Sequence, residues 1–302
     1  MNLKVVVIAG ASGFIGTYFQ RRFREMGTEV RIIGRGTAVT WGDTEGIAGL
    51  LDDADMLINL AGRTVNCRYY KTNADAIFSS RTETTAELGR ALAACRKSGG
   101  RPPSLWINSS TGTIYRHAQD RPQTEDDGEL GSGFSVAVAK AWEAAQSQSV
   151  VDGVRQVALR IAIVLGPGGG VMRPFVTLAK LGLGGPMGLG SQMFSWIHVE
   201  DLFRSVLHIY GDTSLHGPIN AAAPEAVTNQ ALMSSVREAL GMRVGVPSPR
   251  WLLEFGAVVI RTETELVLKS RWVEPRKLVD SGFTFQHGTL KEALTDITGR
   301  DA

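Results

Sequence analysis

Gly10, Gly13 and Gly16 recur every third residue in Gly10-Ala11-Ser12-Gly13-Phe14-Ile15-Gly16, and the chemistry they offer is phosphate binding. Glycines between a strand and a helix leave backbone N–H groups bare beside the positive end of the helix, where a pyrophosphate can sit. Gly10, Ser12, Gly13, Phe14, Ile15 and Gly16 are the residues placed for that contact. A tight structural turn uses glycine too, so the G-x-x-G-x-x-G spacing depends on its context. Arg35, after Gly34, stands where a site for NAD would offer a carboxylate to the ribose 2′-hydroxyl. A guanidinium there favours a 2′-phosphate, and so NADP(H) over NAD(H); the alternative is an ordinary solvated arginine at a strand end. Leu60, Ala61 and Gly62, in Asn59-Leu60-Ala61-Gly62, are small enough for backbone to lie against an adenosine or ribose. Ser109, Ser110 and Thr111 bring three hydroxyls together, either for a ligand or to cap the following turn.

These groups meet only if the chain folds to place them. The apolar run Lys4–Ala9 reads as a strand, Phe19, Phe23 and Met26 recur at helical spacing, Gly27 is a helix stop, and Val30-Arg31-Ile32-Ile33 reads as the next strand. Further strands are expected at Met56–Leu60, Leu105–Ser109 and Gln156–Val164, separated by helices at Thr82–Lys97 and Phe134–Val151. Near-continuous apolar strands alternating with amphipathic helices predict an α/β fold, a Rossmann-type doubly wound parallel sheet covered on both faces. The serine run then emerges at the carboxyl edge of the sheet, where ligands of such folds bind. Gly166–Gly170 and Gly182–Gly190 flank a short helical segment; neither ends in Gly-Lys-Ser/Thr, which excludes a P-loop, and they read either as loops bordering a substrate cleft or as long irregular connections. Ile197–Tyr210 reads as a strand edge entering a helix and Pro218–Ala223 as a short strand. From Asn229 helical patterns dominate, punctuated by Pro247, Pro249 and Pro275 and ending near Leu290–Ile297. The expected division is a nucleotide-binding domain of residues 1–165 with 197–225, and a smaller, mostly helical substrate or lid domain of 166–196 with 226–302.

The 302 residues, 43% hydrophobic and 21% charged, describe an ordinary packed globule. A net charge of +2 with scattered basic residues gives no footprint for nucleic acid or a membrane surface, so a small-molecule partner is expected. Cys95 shares a helical face with Leu88, Ala91 and Leu92 and reads as a core thiol, and both it and Cys67 are expected reduced. Met1-Asn2-Leu3-Lys4 leads into the first strand without a signal-peptide layout, and no apolar run approaches the ~20 residues that span a bilayer, so a cytosolic enzyme is expected. His117, His198, His208, His216 and His287 are scattered without metal-ligand spacing, and no metal site is expected. There is no G-x-S-x-G elbow for a hydrolase serine.

The glycine motif, Asn59–Gly62, the serine run, Leu159-Arg160 leading to Leu165-Gly166-Pro167, and Trp196-Ile197-His198-Val199-Glu200-Asp201 together resemble the extended short-chain dehydrogenase/reductases. More narrowly, Asn59–Gly62, Ser80-Arg81, Ala141-Trp142-Glu143-Ala144-Ala145, Gly182-Leu183-Gly184-Gly185-Pro186, Phe194–His198, Asn220–Pro224, Pro275-Arg276-Lys277-Leu278 and Gly282-Phe283-Thr284-Phe285 resemble the "epimerase family protein" subgroup, which is NAD(P)-dependent epimerase/dehydratase-like and carries a characteristic carboxyl-terminal domain. The resemblance covers nearly the whole chain.

The resemblance implies hydride chemistry at a Tyr-x-x-x-Lys pair one helical turn apart, whose matching positions are Val136 and Lys140. Valine cannot transfer a proton. Lys140 then either bonds the nicotinamide ribose or snorkels from an exposed helix face. Arg81 replaces the superfamily's usual asparagine and is expected either to bind an anionic substrate group or to enter a structural ion pair. Tyr115, following the serine run, is the nearest replacement acid, with Tyr69 and Tyr70 behind it; His198 resembles a turn that is usually structural. The expected catalytic set is Ser110, Thr111, Tyr115, Lys140 and Arg81, with Ser110 orienting a carbonyl and Lys140 also serving the cofactor. The expected function is an NADP(H)-dependent oxidoreductase or nucleotide-sugar epimerase-like enzyme, monomeric or homodimeric, acting on a small molecule, with anionic and nucleotide-linked compounds among the options. The alternative is a catalytically silent NADP(H) sensor.

Overall fold

The computed structural model describes residues 3–65, 67–247 and 269–299. Pro249 and the stretch 248–268 of the expected helical lid lie outside the described residues. Strand β1 (Val5–Ala9) runs through the glycine turn into helix α1 (Phe14–Glu25), and β2 (Glu29–Ile33) follows after Gly27, whose φ of +77° ends the helix. The chain continues through α2 (Thr44–Leu51), β3 (Met56–Asn59), α3 (Lys71–Lys97), β4 (Leu105–Thr111), a 3₁₀ turn at Gly112–Ile114, α4 (Phe134–Ser147) and β5 (Arg155–Ile161). Then come β6 (Ile163–Leu165), α5 (Met172–Lys180), β7 (Met193–Phe194), β8 (Trp196–His198), α6 (Val199–Gly211) and β9 (Gly217–Ala221). The carboxyl-terminal part adds β10 (Val227–Thr228), α7 (Asn229–Ala239), α8 (Arg276–Asp280) and α9 (Leu290–Thr298).

Six strands form a parallel sheet in the order β2-β1-β3-β4-β5-β9. Alternation along each strand divides its side chains between two cores. Val6, Ile8, Met56, Ile58, Leu105 and Ile107 face α1 and α6, where Phe203 meets Phe19 and Phe23 edge to face at 5.4 and 4.9 Å. Val7, Leu57 and Trp106 face α2 and α3, meeting Ile47, Leu51, Leu88 and Leu92, and Cys95 is buried on α3 as expected. Burying both faces explains why these strands read as unbroken apolar runs. A separate core, with Met172, Phe175, Phe194, Trp196, Leu232, Val236 and Leu294, draws on α5, α7, α9 and the short pairs β6/β8 and β7/β10.

The expected strand Gln156–Val164 is two strands. At Ala162 the chain leaves the main sheet: Ala162 N–H donates to Ala221 O at 2.9 Å, Ile163 N–H to Ser195 O at 3.2 Å, and β6 pairs with β8. Helix α3 starts eleven residues before the expected Thr82, because its first turns are polar and carry no apolar stripe. Among the described residues no helix is long and apolar enough to cross a membrane.

Candidate functional site

A cleft of about 480 Å³ opens at the carboxyl ends of the strands, beside the point between β1 and β3 where strand order reverses. Gly10, at φ +77°, lies so close to the β3–α3 connection that a Cβ would come within 2.6 Å of Ala61 N and Leu60 C. Gly16 packs α1 onto the turn, a Cβ there falling 2.7 Å from Ala11 Cα. Gly13 caps α1, and a Cβ on it would meet nothing nearer than Gly10 O at 3.9 Å. The three glycines therefore have separate tasks: close packing at Gly10 and Gly16, and open space over the helix N-terminus at Gly13. That cradle fits a diphosphate. Phe14, Ile15 and Leu60 line the cleft, Ala61 is buried beneath it, and Ser12 is exposed outside the lining. Arg35 stands exposed beyond β2 and, among the described residues, has no hydrogen-bond or ion-pair partner.

Ser109, Ser110, Thr111 and Thr113 line the opposite part of the cleft. Ser110 Oγ donates to Glu143 Oε1 at 2.6 Å. Glu143 also accepts both limbs of Arg160, Nε on Oε1 and Nη2 on Oε2, each at 2.9 Å. Burial, the largest influence on Arg160, works against its charge, but the Glu143 carboxylate outweighs it and holds the guanidinium above its ordinary range. With its proton committed to Glu143, Ser110 offers a ligand lone pairs only. The expected Ser110 donor to a carbonyl is thus corrected. Thr111 Oγ1 accepts from Thr113 N–H at 3.2 Å, and among the described residues its own proton has no acceptor.

Tyr115 does not line the cleft. It is 2% exposed, its hydroxyl donating to Asn220 Oδ1 at 2.9 Å and accepting from Arg160 Nη1 at 2.8 Å, and burial pushes the phenol up from its ordinary range. The expected acid is a structural post because that hydroxyl is fully engaged. Tyr70 is 72% exposed, whereas Tyr69 lines the cleft, its ring 4.8 Å from Phe134.

The phase of α4 differs from the expected one. Val136 is buried with Ile114, Tyr115 and Val273, and Lys140 is exposed, its Nζ donating to Gly131 O at 3.1 Å outside the cleft lining. The face toward the cleft carries Ser135, Val138, Ala139 and Trp142, the i, i+3, i+4, i+7 set. The pair one turn apart that faces the cleft is Ser135 and Ala139. Trp142 held the missed signal, since the helical face through it runs back to Ser135 and not to Val136.

Arg81, from α3, lines the cleft with Ile77 and Trp142. Of the two glycine loops, the first borders the cleft: Gly170 and Val171 line it, and Gly169 is pressed against the Phe14 ring. The second packs elsewhere, with Gly185 against Val246 and Pro247. His198 caps α6, its Nδ1 accepting from Glu200 N–H at 3.3 Å. With His287 and Asp296 it gathers three ligand-type atoms within 4.8 Å. Because Nδ1 is an acceptor, Nε2 carries the ring proton and faces Asp296 Oδ2 at 3.2 Å, off-line for a full hydrogen bond; the cluster is a polar clamp away from the cleft.

Comparison with known proteins agrees with this geometry. The profile of the NAD dependent epimerase/dehydratase family matches residues 6–222, and that of a domain of unknown function, DUF1731, matches residues 248–297, of which 248–268 lie outside the described residues. The human epimerase family protein SDR39U1 is 32% identical over 97% of this chain and 99% of its own, and the Mycobacterium bovis epimerase family protein Mb2239 is 31% identical over 98% of each. The crystal structure of human SDR39U1 (isoform 2) with NADPH superposes with a TM-score of 0.87 at 30% identity, covering 98% of this chain and 99% of that one. A nucleoside-diphosphate sugar epimerase from Corynebacterium glutamicum gives 0.78 at 26% identity, covering 99% of this chain and 59% of that one. By sequence and fold alike, the chain belongs to the NAD dependent epimerase/dehydratase family.

Proposed function

We propose that the chain binds NADP(H) in this cleft and carries out an oxidation–reduction or epimerisation of a small molecule. The observation that carries the reading is the open space over Gly13 at the α1 N-terminus, closed on its other sides by the close packing at Gly10 and Gly16. NADPH in the crystal structure of the human relative supports the choice of nucleotide. The Arg35 guanidinium, without a partner among the described residues, supplies a cation for a 2′-phosphate, where a carboxylate would repel it.

When bound, the nicotinamide supplies or accepts a hydride. The chain's own groups position and polarise the partner. Thr111 donates to a substrate oxygen, Ser110 accepts from a substrate hydroxyl, and Tyr69 is the phenol that lines the cleft, taking the place expected for Tyr115. Phe14 and the Gly169–Val171 loop cover one side and limit water.

A second reading, a sensor that binds NADP(H) without turnover, is favoured by the cleft-facing Ser135 and Ala139, since this pair supplies neither the acidic phenol nor the cation of a Tyr-x-x-x-Lys relay. One experiment tests both: calorimetric titration of the chain and of Arg35→Asp with NADPH and NADH, followed by absorbance assays on a panel of carbonyl compounds and nucleotide sugars. The chain is expected to prefer NADPH and Arg35→Asp to lose that preference, by about tenfold or more for a lost charge-assisted phosphate contact. Equal affinity of the unaltered chain for both nucleotides would sink the NADP(H) assignment; tight NADPH binding with no turnover across the panel selects the sensor.

A further inference from the structure

Arg81 is, among the described residues, a cation without an anion. Its Nη1 donates to Ile77 O at 3.0 Å, and its guanidinium lies 5.0 Å over the Trp142 ring, itself fixed by Nε1 donating to Thr85 Oγ1 at 3.0 Å. Gly62 leaves it room, since a Cβ there would fall 3.0 Å from Arg81 Cζ. Among the described residues no carboxylate comes within ion-pair distance, and the remaining guanidinium N–H donors have no protein acceptor. Burial pulls its pKa below the ordinary arginine range, with only Tyr69 acting in the opposite sense. Arg160, by contrast, is bonded to both oxygens of Glu143.

Holding a guanidinium half out of water without a counterion costs stability, and a fold bears that cost where a ligand supplies the missing charge. The planar fork suits a carboxylate or phosphate, which it grips through two parallel N–H bonds, and Trp142 fixes the plane of the fork. We propose that Arg81 anchors an oxyanion, a carboxylate or a phosphate, of the compound that shares the cleft with the cofactor. Ser110, acceptor-only and lining the same cleft, adds that this compound presents a hydroxyl as well as its anion. The substrate class is then an anionic hydroxy compound. This rests on the NADP(H) reading, and the cofactor's own diphosphate is the other source of the same chemistry.

The test titrates the chain, Arg81→Gln and Arg81→Lys with NADPH by nicotinamide fluorescence, and then titrates each NADPH-saturated protein with inorganic phosphate by calorimetry, circular dichroism confirming that all three are folded. NADPH affinity is expected to stay within about threefold across the three, while phosphate binding to the loaded protein weakens at least tenfold in Arg81→Gln and by less in Arg81→Lys, which keeps charge but not the fork. A tenfold loss of NADPH affinity in Arg81→Gln would assign the guanidinium to the cofactor and overturn the proposal. So would phosphate binding that is equal in all three proteins or absent from the unaltered chain. If the unaltered chain fails to bind NADPH, the cofactor reading falls instead, and phosphate titration of the free proteins still decides the role of Arg81.

Discussion

A hydroxyl's meaning depends on what already holds its proton. Ser110 and Thr111 are adjacent in sequence and line one cleft, yet Glu143 turns the first into an acceptor while the second keeps a proton to give. The same carboxylate neutralises Arg160, which steadies Tyr115 and through it Asn220, whose Nδ2 donates to Glu274 O at 2.9 Å in the carboxyl-terminal part. Glu143→Gln leaves a buried guanidinium without its counter-charge and with one acceptor oxygen fewer. It is expected to lower unfolding stability by about 2–4 kcal/mol, read from urea midpoints. A change within about half a kcal/mol, the usual scatter of surface substitutions, would mean that the pair is spectator chemistry.

Among the elements, the strand–turn–helix unit and the parallel sheet were legible because the strands bury both faces and α1 and the second half of α3 carry apolar stripes. The phase of α4 was not: Val136/Lys140 and Ser135/Ala139 are both i, i+4 pairs, and spacing alone cannot say which one faces the cleft. Trp142 settles it, as the large side chain that closes the cleft wall. Nor did the sequence mark the break at Ala162, since Ser195 and Ala221 impose it from distant parts of the chain. Among the site residues, the glycine turn was readable from local conformation, whereas Tyr69 and the neutralising role of Glu143 depend on side chains meeting across elements. The turn itself is exacting. Gly16→Ala would drive a methyl group into Ala11, 2.7 Å away, and tilt α1 off its seat. An overpacking cost of about 1–3 kcal/mol is expected, together with about a tenfold loss of NADPH affinity, measured by thermal melting and fluorescence titration.

Across the whole molecule, the carboxyl-terminal segment is tied to the sheet domain by a buried polar joint. Asp201, fully buried, accepts the backbone N–H groups of Gln286 and His287 at 2.7 and 2.8 Å and pairs with Arg204. Beside it the His198 and His287 rings lie 4.0 Å apart, tilted by 53°, and His198 faces Asp296. Burial first, and the neighbouring His287 next, push His198 down to about 4, against the opposing pull of Asp296 and Asp201. A histidine held neutral in the fold takes up its proton more readily when unfolded. Its contribution is therefore complete above about pH 6.5 and lost as the pH falls toward 4. The chain is expected to lose about 1–3 kcal/mol more than His198→Asn between pH 7.5 and 4.5 in urea titrations, and parallel losses would remove the histidine from the account.

Residues Ile161 to Val164 carry the backbone out of the main sheet and into the β6/β8 pair, and all four residues border the cleft on the way. That stretch of the lining is thus one unbroken span of main chain, moored to β9 at one end and to β8 at the other, so a shift of either strand moves the surface on which a bound molecule would rest.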